Sequence, residues 1–490
     1  MLILFLIISI CILCLIYLII LIYSRPLHGI PIADHYNPIF GHLLTFLKNF
    51  DHVHDARLQE ALRQESLGHA CFQELLPLLP PRVDLLTPEL VEFVLRSEFN
   101  SFEKGSIFTE PFLEVFGQGI LNVDGAQWKF HRRMAQHLVT RNGMNKAQEV
   151  FIEHANRFLK LLRNVKSADM QVLFHRYTMD CTCELVCGFD LDSLSTQSTV
   201  PFVDAFDNGI AISVRRFLMP TFLWKFKRWL NIGDEKLLKQ YCLVINEFVM
   251  DIVKEHNVIG DDLLSRLLEE ENMTKELLRD ILVTMIAAGR DTVAVALTHL
   301  FHMLHKHPDV EQKLIDELHE KANNVISEEI LSNLTYMDCV ILEVCRLYPP
   351  LPLDFKVCAR DIHLPGATNI LLPKSTIVSY TPYHFHRLSS VWGLDAMDFI
   401  PERWLDADGK VKVESQFKFL SFNAGPRLCL GRAMALLEVK ILAAILLNEF
   451  HFKLNDEKNF DTRFKFTTTC PFANGLNMIV MRREHASTNS

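Results

Sequence analysis

Cys429 stands in Phe422-Asn423-Ala424-Gly425-Pro426-Arg427-Leu428-Cys429-Leu430-Gly431, directly ahead of the helical run RAMALLEVKILAAILL. A thiol so placed meets unpaired N–H groups at the positive end of a helix, which lowers its pKa and favours thiolate, the form that ligates a metal. Gly425 permits a tight turn, and Gly431 permits a flat ligand to approach the backbone. A cysteine after a loop is by itself usually a buried structural residue, so the weight rests on the whole ten-residue pattern. Midway along the chain, Ala287-Ala288-Gly289-Arg290-Asp291-Thr292 sets an acid beside an alcohol on a helix, a pair able to pass protons. Gly289 in mid-helix costs ~1 kcal/mol against alanine, so packing or ligand space must account for it. A helical Thr292 commonly bonds the carbonyl four residues back, here Ala288. Glu343 and Arg346 lie three apart on one helical face, and Trp128 and Arg132 four apart, the latter offering an indole N–H and a guanidinium to a carboxylate.

These strings, in this order from 128 to 432, resemble the signatures of the cytochromes P-450, the haem-thiolate monooxygenases. The resemblance implies haem b (iron protoporphyrin IX) with Cys429 as its proximal metal ligand, in a loop that includes Phe422, Arg427 and Gly431. It implies that Ala288 and Gly289 adjoin the haem, and that Thr292 and Asp291 are catalytic, delivering protons to O2. Many relatives carry a second Thr or Ser where this chain has Val293. Glu343, Arg346 and the Phe399-Ile400-Pro401-Glu402-Arg403-Trp404 string are similar to the family's ExxR and PERF elements, where Arg403 completes a buried three-way salt bridge. Trp128 and Arg132 match the family's haem-propionate binders, and Lys356 and Arg427 fall at two further propionate positions.

The stretch Arg346 to Asp361, together with AGRDT and FNAGPRLCLG, most resembles the fatty-acid and alkane ω-hydroxylase groups of plants and yeasts. The expected reaction is ω-hydroxylation of a medium- or long-chain fatty acid, with alkanes, sterols or other lipids as alternatives. Leu351, Leu353 and Phe355, with the phenylalanine-rich loop at 102–116, are expected to form an apolar channel. The chain leaves no room for a fused flavin reductase, so electrons are expected from NADPH through a separate reductase docking near Lys129, Arg133, Arg432 and Lys440. Two rival classes are a peroxide-rearranging isomerase, which needs no acid–alcohol pair, and a non-catalytic haem-binding membrane protein.

These residues need a scaffold, and the apolar spacing predicts helices at 145–165, 235–256, 275–306, 309–322, 336–347 and 432–448, with short strands near 82–86, 369–380 and 464–481. That is a mainly α chain with small β-sheets (α+β), whose long central helix crosses over the haem. Residues 2–23 carry no charge and no proline and suit a single transmembrane helix. The expected organisation is an anchor at 1–23, a proline-rich linker at 24–41, one monooxygenase domain at 42–484 and a flexible tail at 485–490. Arg25 as first flanking cation implies a cytoplasmic domain, and the expected membrane is the endoplasmic reticulum. With 49% hydrophobic residues and a net charge of −9 lacking single-sign runs, the chain suits a buried apolar substrate and membrane lipid and excludes nucleic acid. The cysteines, including the cluster Cys181, Cys183 and Cys187, read as reduced and buried in helices, and the sequons at Asn272 and Asn333 as chance matches.

Overall fold

The computed structural model describes residues 25–195, 200–256, 262–271, 273–321, 328–366 and 370–483. The apolar segment 1–23 and the tail 485–490 lie outside the described residues. The longer helices are α1 (Val53–Ser66), α2 (Gly105–Phe116), α3 (Gly125–Ala135), α4 (Arg141–Leu162), α5 (Met170–Cys187), α6 (Pro201–Arg215), α7 (Thr221–Leu230), α8 (Asp234–Glu255), α9 (Lys275–Lys306), α10 (Pro308–Lys321), α11 (Thr335–Leu347) and α12 (Arg432–Glu449). The fold is therefore mainly helical with small sheets, as the spacing predicts. The phenylalanine-rich stretch read as a loop at 102–116 is instead largely helix α2, which continues through Pro111.

Helix α9 organises the molecule. The Thr274 hydroxyl caps its start by accepting from Leu277 N–H, Glu276 suits the positive end of the dipole, and the chain breaks at Pro308. Its 32 residues make it about 48 Å long at ~1.5 Å per residue. It is apolar enough to cross a membrane, yet 72% of its most apolar stretch is buried inside the protein, which makes it a core helix. Its N-terminal half packs with α2, α6 and α8, its C-terminal half with α4, α5, α11 and α12. Against α5 the approach is close: a Cβ on Gly289 would come within 2.6 Å of the Thr182 hydroxyl. Of the two reasons the sequence allowed, packing or ligand space, close packing on Thr182 is present at the mid-helix glycine.

Among the described residues ten strands form small sheets: β1 (Cys71–Glu74), β2 (Arg82–Leu85), β3 (Phe102–Glu103), β4 (Ser167–Asp169), β5 (Asp354–Cys358), β6 (Ile362–His363), β7 (Leu371–Leu372), β8 (Ile377–Tyr380), β9 (Phe450–Leu454) and β10 (Asn477–Arg482). The largest runs β1-β2-β8-β5-β3, with Arg82 opposite Ile377 and Asp354 opposite Tyr380. The stretch 24–41, read as a linker, belongs to this folded body from Leu27 onward: Gln73 bonds the carbonyls of Leu27 and Ile30, and Ala33 N–H bonds Gln73. Its prolines rigidify a segment that adds to the edge of the sheet.

Candidate haem site

A cavity of about 1030 Å³ opens between α9, the loop before α12, α2 and the large sheet. Cys429, Gly431, Phe422 and Arg427 line it, as do Ala288, Gly289, Asp291 and Thr292 of α9 and Trp128 and Arg132 of α3. The cysteine loop is held by its own backbone: Cys429 N–H donates to Phe422 O at 2.7 Å and Leu428 N–H to Gly425 O at 3.0 Å. Gly425 sits at φ +63°, and a side chain there would strike the Leu95 carbonyl. Beyond Gly431 lies open space.

Cys429 is surrounded by protein but accessible, because the surface it exposes is cavity wall. Burial raises its thiol pKa, outweighing the Gly431 N–H and the charges of Arg132 and Arg432, which pull the other way. The expectation that the helix end alone yields thiolate is thus corrected: dehydration of the sulfur is the larger effect, and a bound metal cation is what deprotonates such a thiol.

The other binding residues divide. Arg132 donates to Leu428 O at 2.9 Å, and both Arg132 and Arg427 stack on the Trp128 ring. Arg427 is paired with Asp124. Lys356 departs from expectation: its ammonium donates to Asp354 (3.1 Å), Phe355 O (3.2 Å) and the Tyr380 hydroxyl (2.7 Å), and it does not line the cavity. Lys104, absent from the sequence reading, does line the cavity, its ammonium 3.7 Å from the Phe108 ring centroid. Burial lowers the Lys104 pKa to about 7. A carboxylate near Lys104, Arg132 and Trp128 would offset that burial, so the donors fit a macrocycle carrying acidic side arms.

On α9, Thr292 donates to Ala288 O at 2.8 Å. Arg290 donates to Asp291 (2.9 Å) and to Asp207 of α6 (2.6 Å). Burial raises the Asp291 carboxyl to about 6 despite the Arg290 charge. Below the cavity, Arg346 and Glu343 form a fully buried bidentate pair (both contacts 2.8 Å). The expected third partner, Arg403, is within ion-pair distance of Glu343, and Trp404 adds a shorter contact. Trp404 N–H reaches Glu343 at 2.9 Å, while Arg403 stands at 3.5 Å and spends its other donors on Asp395 and Trp392 O. Arg346 also donates to His386 O, and His386 accepts from Leu420 N–H at 2.8 Å, which carries the lock into the cysteine loop. On the reductase face the sequence suggested, Lys129 and Arg133 are exposed, but Lys440 is buried against Asp338 and Leu331 O and offers no charge to a partner.

The family model for cytochrome P450 matches residues 36–473. The chain belongs to the cytochrome P450 family. Similar proteins include cytochrome P450 94B1 of Arabidopsis thaliana, 34% identical over 85% of this chain and 88% of that protein. Cytochrome P450 94A1 of Vicia sativa is 31% identical over 84% of this chain and 83% of its own length. Cytochrome P450 704C1 of Pinus taeda is 30% identical over 91% and 92%. The P450 is a haem-thiolate monooxygenase by family.

Proposed function

We propose that this P450 is a membrane-anchored fatty-acid hydroxylase acting at or near the terminal carbon, with Cys429 holding the iron of haem b and Lys104, Trp128, Arg132 and Arg427 meeting its propionates. The observation that carries the reading is the aromatic wall of the cavity. Phe108 and Phe112 of α2 pack on Phe217, and Phe217 on Phe355, with ring centroids 5.5–6.2 Å apart. Phe355 and Leu351 sit where an apolar channel was expected, and a wall of this kind admits a hydrocarbon chain and excludes water.

Haem, when bound, supplies the activation of O2. Asp291 and Thr292 supply protons from the cavity wall, which favours oxygenation over peroxide rearrangement or simple haem carriage. Electrons come from NADPH through a separate flavoprotein reductase, with Lys129 and Arg133 as docking cations. Attachment by residues 1–23 to the endoplasmic reticulum, with the catalytic domain in the cytoplasm, belongs to the same proposal; contact of the folded body with a membrane is supported by helix α7, which exposes Phe222, Phe226 and Trp229 near the cavity. Incubating the full chain with reductase, NADPH and lauric or palmitic acid tests the proposal. ω or ω-1 hydroxy acids are expected, and the reading fails if neither forms.

A further inference from the structure

Asn423 opens the cysteine loop in a backbone conformation that suits glycine, with φ +59° and ψ −171°. For a residue with a Cβ, that geometry has to be held by its surroundings. The side-chain amide is bonded at both ends: Oδ1 accepts from Ala424 N–H at 2.8 Å, and Nδ2 donates to Asp354 Oδ2 at 3.0 Å. The first bond is local, whereas the second crosses to β5, 69 residues earlier in the chain.

Asp354 is itself fixed from three sides. It stands directly opposite Tyr380 in the β5–β8 pair, and its Oδ2 also accepts from the Tyr380 hydroxyl at 2.6 Å and from the Lys356 ammonium at 3.1 Å. Its Oδ1 accepts from Phe355 N–H at 2.7 Å. Burial pushes the Asp354 carboxyl up, but the charges of Lys356 and Lys104 and the Tyr380 bond outweigh it and hold the group below the usual carboxylate range. The contact to Asn423 is therefore charge-assisted, with Lys356 as the counter-ion of the carboxylate.

The peptide that this contact holds is bonded to the ligand. Rotation about the Asn423 φ turns the peptide joining residues 422 and 423, and the Phe422 carbonyl of that peptide accepts from Cys429 N–H at 2.7 Å. An Asn423 relaxed to negative φ swings the carbonyl off that N–H and changes the hydrogen bonding around the sulfur. We propose that Asp354 is a positioning residue for the cysteine ligand: through Asn423 it keeps the Phe422 carbonyl on the Cys429 N–H and so fixes where the sulfur stands. The inference rests on Cys429 as the iron ligand and is independent of the substrate.

The test uses the haem-loaded full chain as wild type, Asn423→Ala, Asn423→Gly, Asp354→Ala combined with Lys356→Met so that no ammonium is stranded, and that pair with Asn423→Ala added. Haem content controls for folding. The readouts are the midpoint potential and the time for which the reduced, CO-treated protein keeps its thiolate-type band. Loss of one charge-assisted hydrogen bond predicts that Asn423→Ala and the Asp354 variant lose the band about tenfold faster than wild type, with potentials shifted in the same direction. The combined variant is expected to lose it no faster than either, because the two side chains act as one unit. Asn423→Gly, for which this φ costs nothing, should recover part of the loss. A wild-type band lifetime and potential in Asn423→Ala overturn the positioning role, as do losses that multiply in the combined variant. Should the Asp354 variant not take up haem, the two Asn423 variants decide the question. A Cys429→Ser protein that keeps the thiolate-type band overturns the ligand reading and the positioning role with it.

Discussion

Whether an ionisable side chain does chemistry here depends on which way it faces and how far it is from water. Ten residues of loop and helix marked Cys429 as a candidate ligand, and the structure places it on the cavity wall, but the sign of its pKa shift was not legible, because dehydration comes from distant segments that close the cavity. Lys356 and Lys104 make the same point. Asp354 and Phe355 border the cavity and Lys356 does not: it shares a face of β5 with Asp354, but its ammonium is held back by Asp354 and by the Tyr380 hydroxyl, a partner that only the pairing of β5 with β8 brings near. Two predictions belong to this scale. Cys429→Ser is expected to lose the thiolate-type spectrum of reduced, CO-treated haem, checked on protein reconstituted with haem. Asp291→Asn is expected to lower product formation ~100-fold, the range of a lost general acid, with NADPH consumption falling far less. Equal losses of both would remove Asp291 from proton delivery.

Helices and the loop they lock decide whether the residues meet. The positions of α9, α11 and α12 followed from apolar spacing and terminal signals, to within one residue at each end. Helix α5 did not, because it is buried on several sides and lacks a polar face to give a period; α6 was also missed, although Asp204, Asp207 and Asn208 give it an exposed polar side. Nor could spacing show that Trp404, rather than Arg403, makes the short contact to Glu343, since adjacent residues offered equally suitable donors. Removing one partner of the buried pair is expected to outweigh removing the looser one: Glu343→Ala should cost about 3–5 kcal/mol and Arg403→Ala about 1 kcal/mol, read from denaturant unfolding. Close packing of α9 on α5 gives a second element-scale prediction. Gly289→Ala meets the Thr182 hydroxyl and methyl and should cost about 1–3 kcal/mol. Thr182→Ala removes both atoms, so the double variant should recover most of that loss. Additive effects would mean that the two helices do not compete for that space.

At the scale of the whole molecule, the family and its mainly helical fold were legible because its motifs are local strings, whereas the docking of 27–33 onto the sheet and the course of the cavity are products of non-local pairing. One property arises only from the assembled core. His299 and His302 leave the C-terminal half of α9 to pack among Tyr348, Phe460 and Phe472. His299 donates through Nε2 to Cys470 O at 2.9 Å, its Nδ1 is enclosed without a partner, and neither nitrogen of His302 has one. Burial therefore lowers His299 to about 4 and His302 to about 3, from an ordinary value of 6.5. Depressed pKa values mean that the unfolded chain binds protons the folded one refuses, so stability is full above pH 6.5 and falls as the pH drops toward 4 and 3. Each histidine accounts for about 2 kcal/mol at pH 5 by proton linkage. Replacing His302 with Phe keeps the ring contacts and removes one of these sites, so the fall in unfolding free energy from pH 7 to pH 5 should shrink by about 2 kcal/mol. An unchanged difference between those two pH values, measured by urea unfolding, would mean that water reaches His302 in the folded protein and that this end of α9 is open rather than sealed against the sheet.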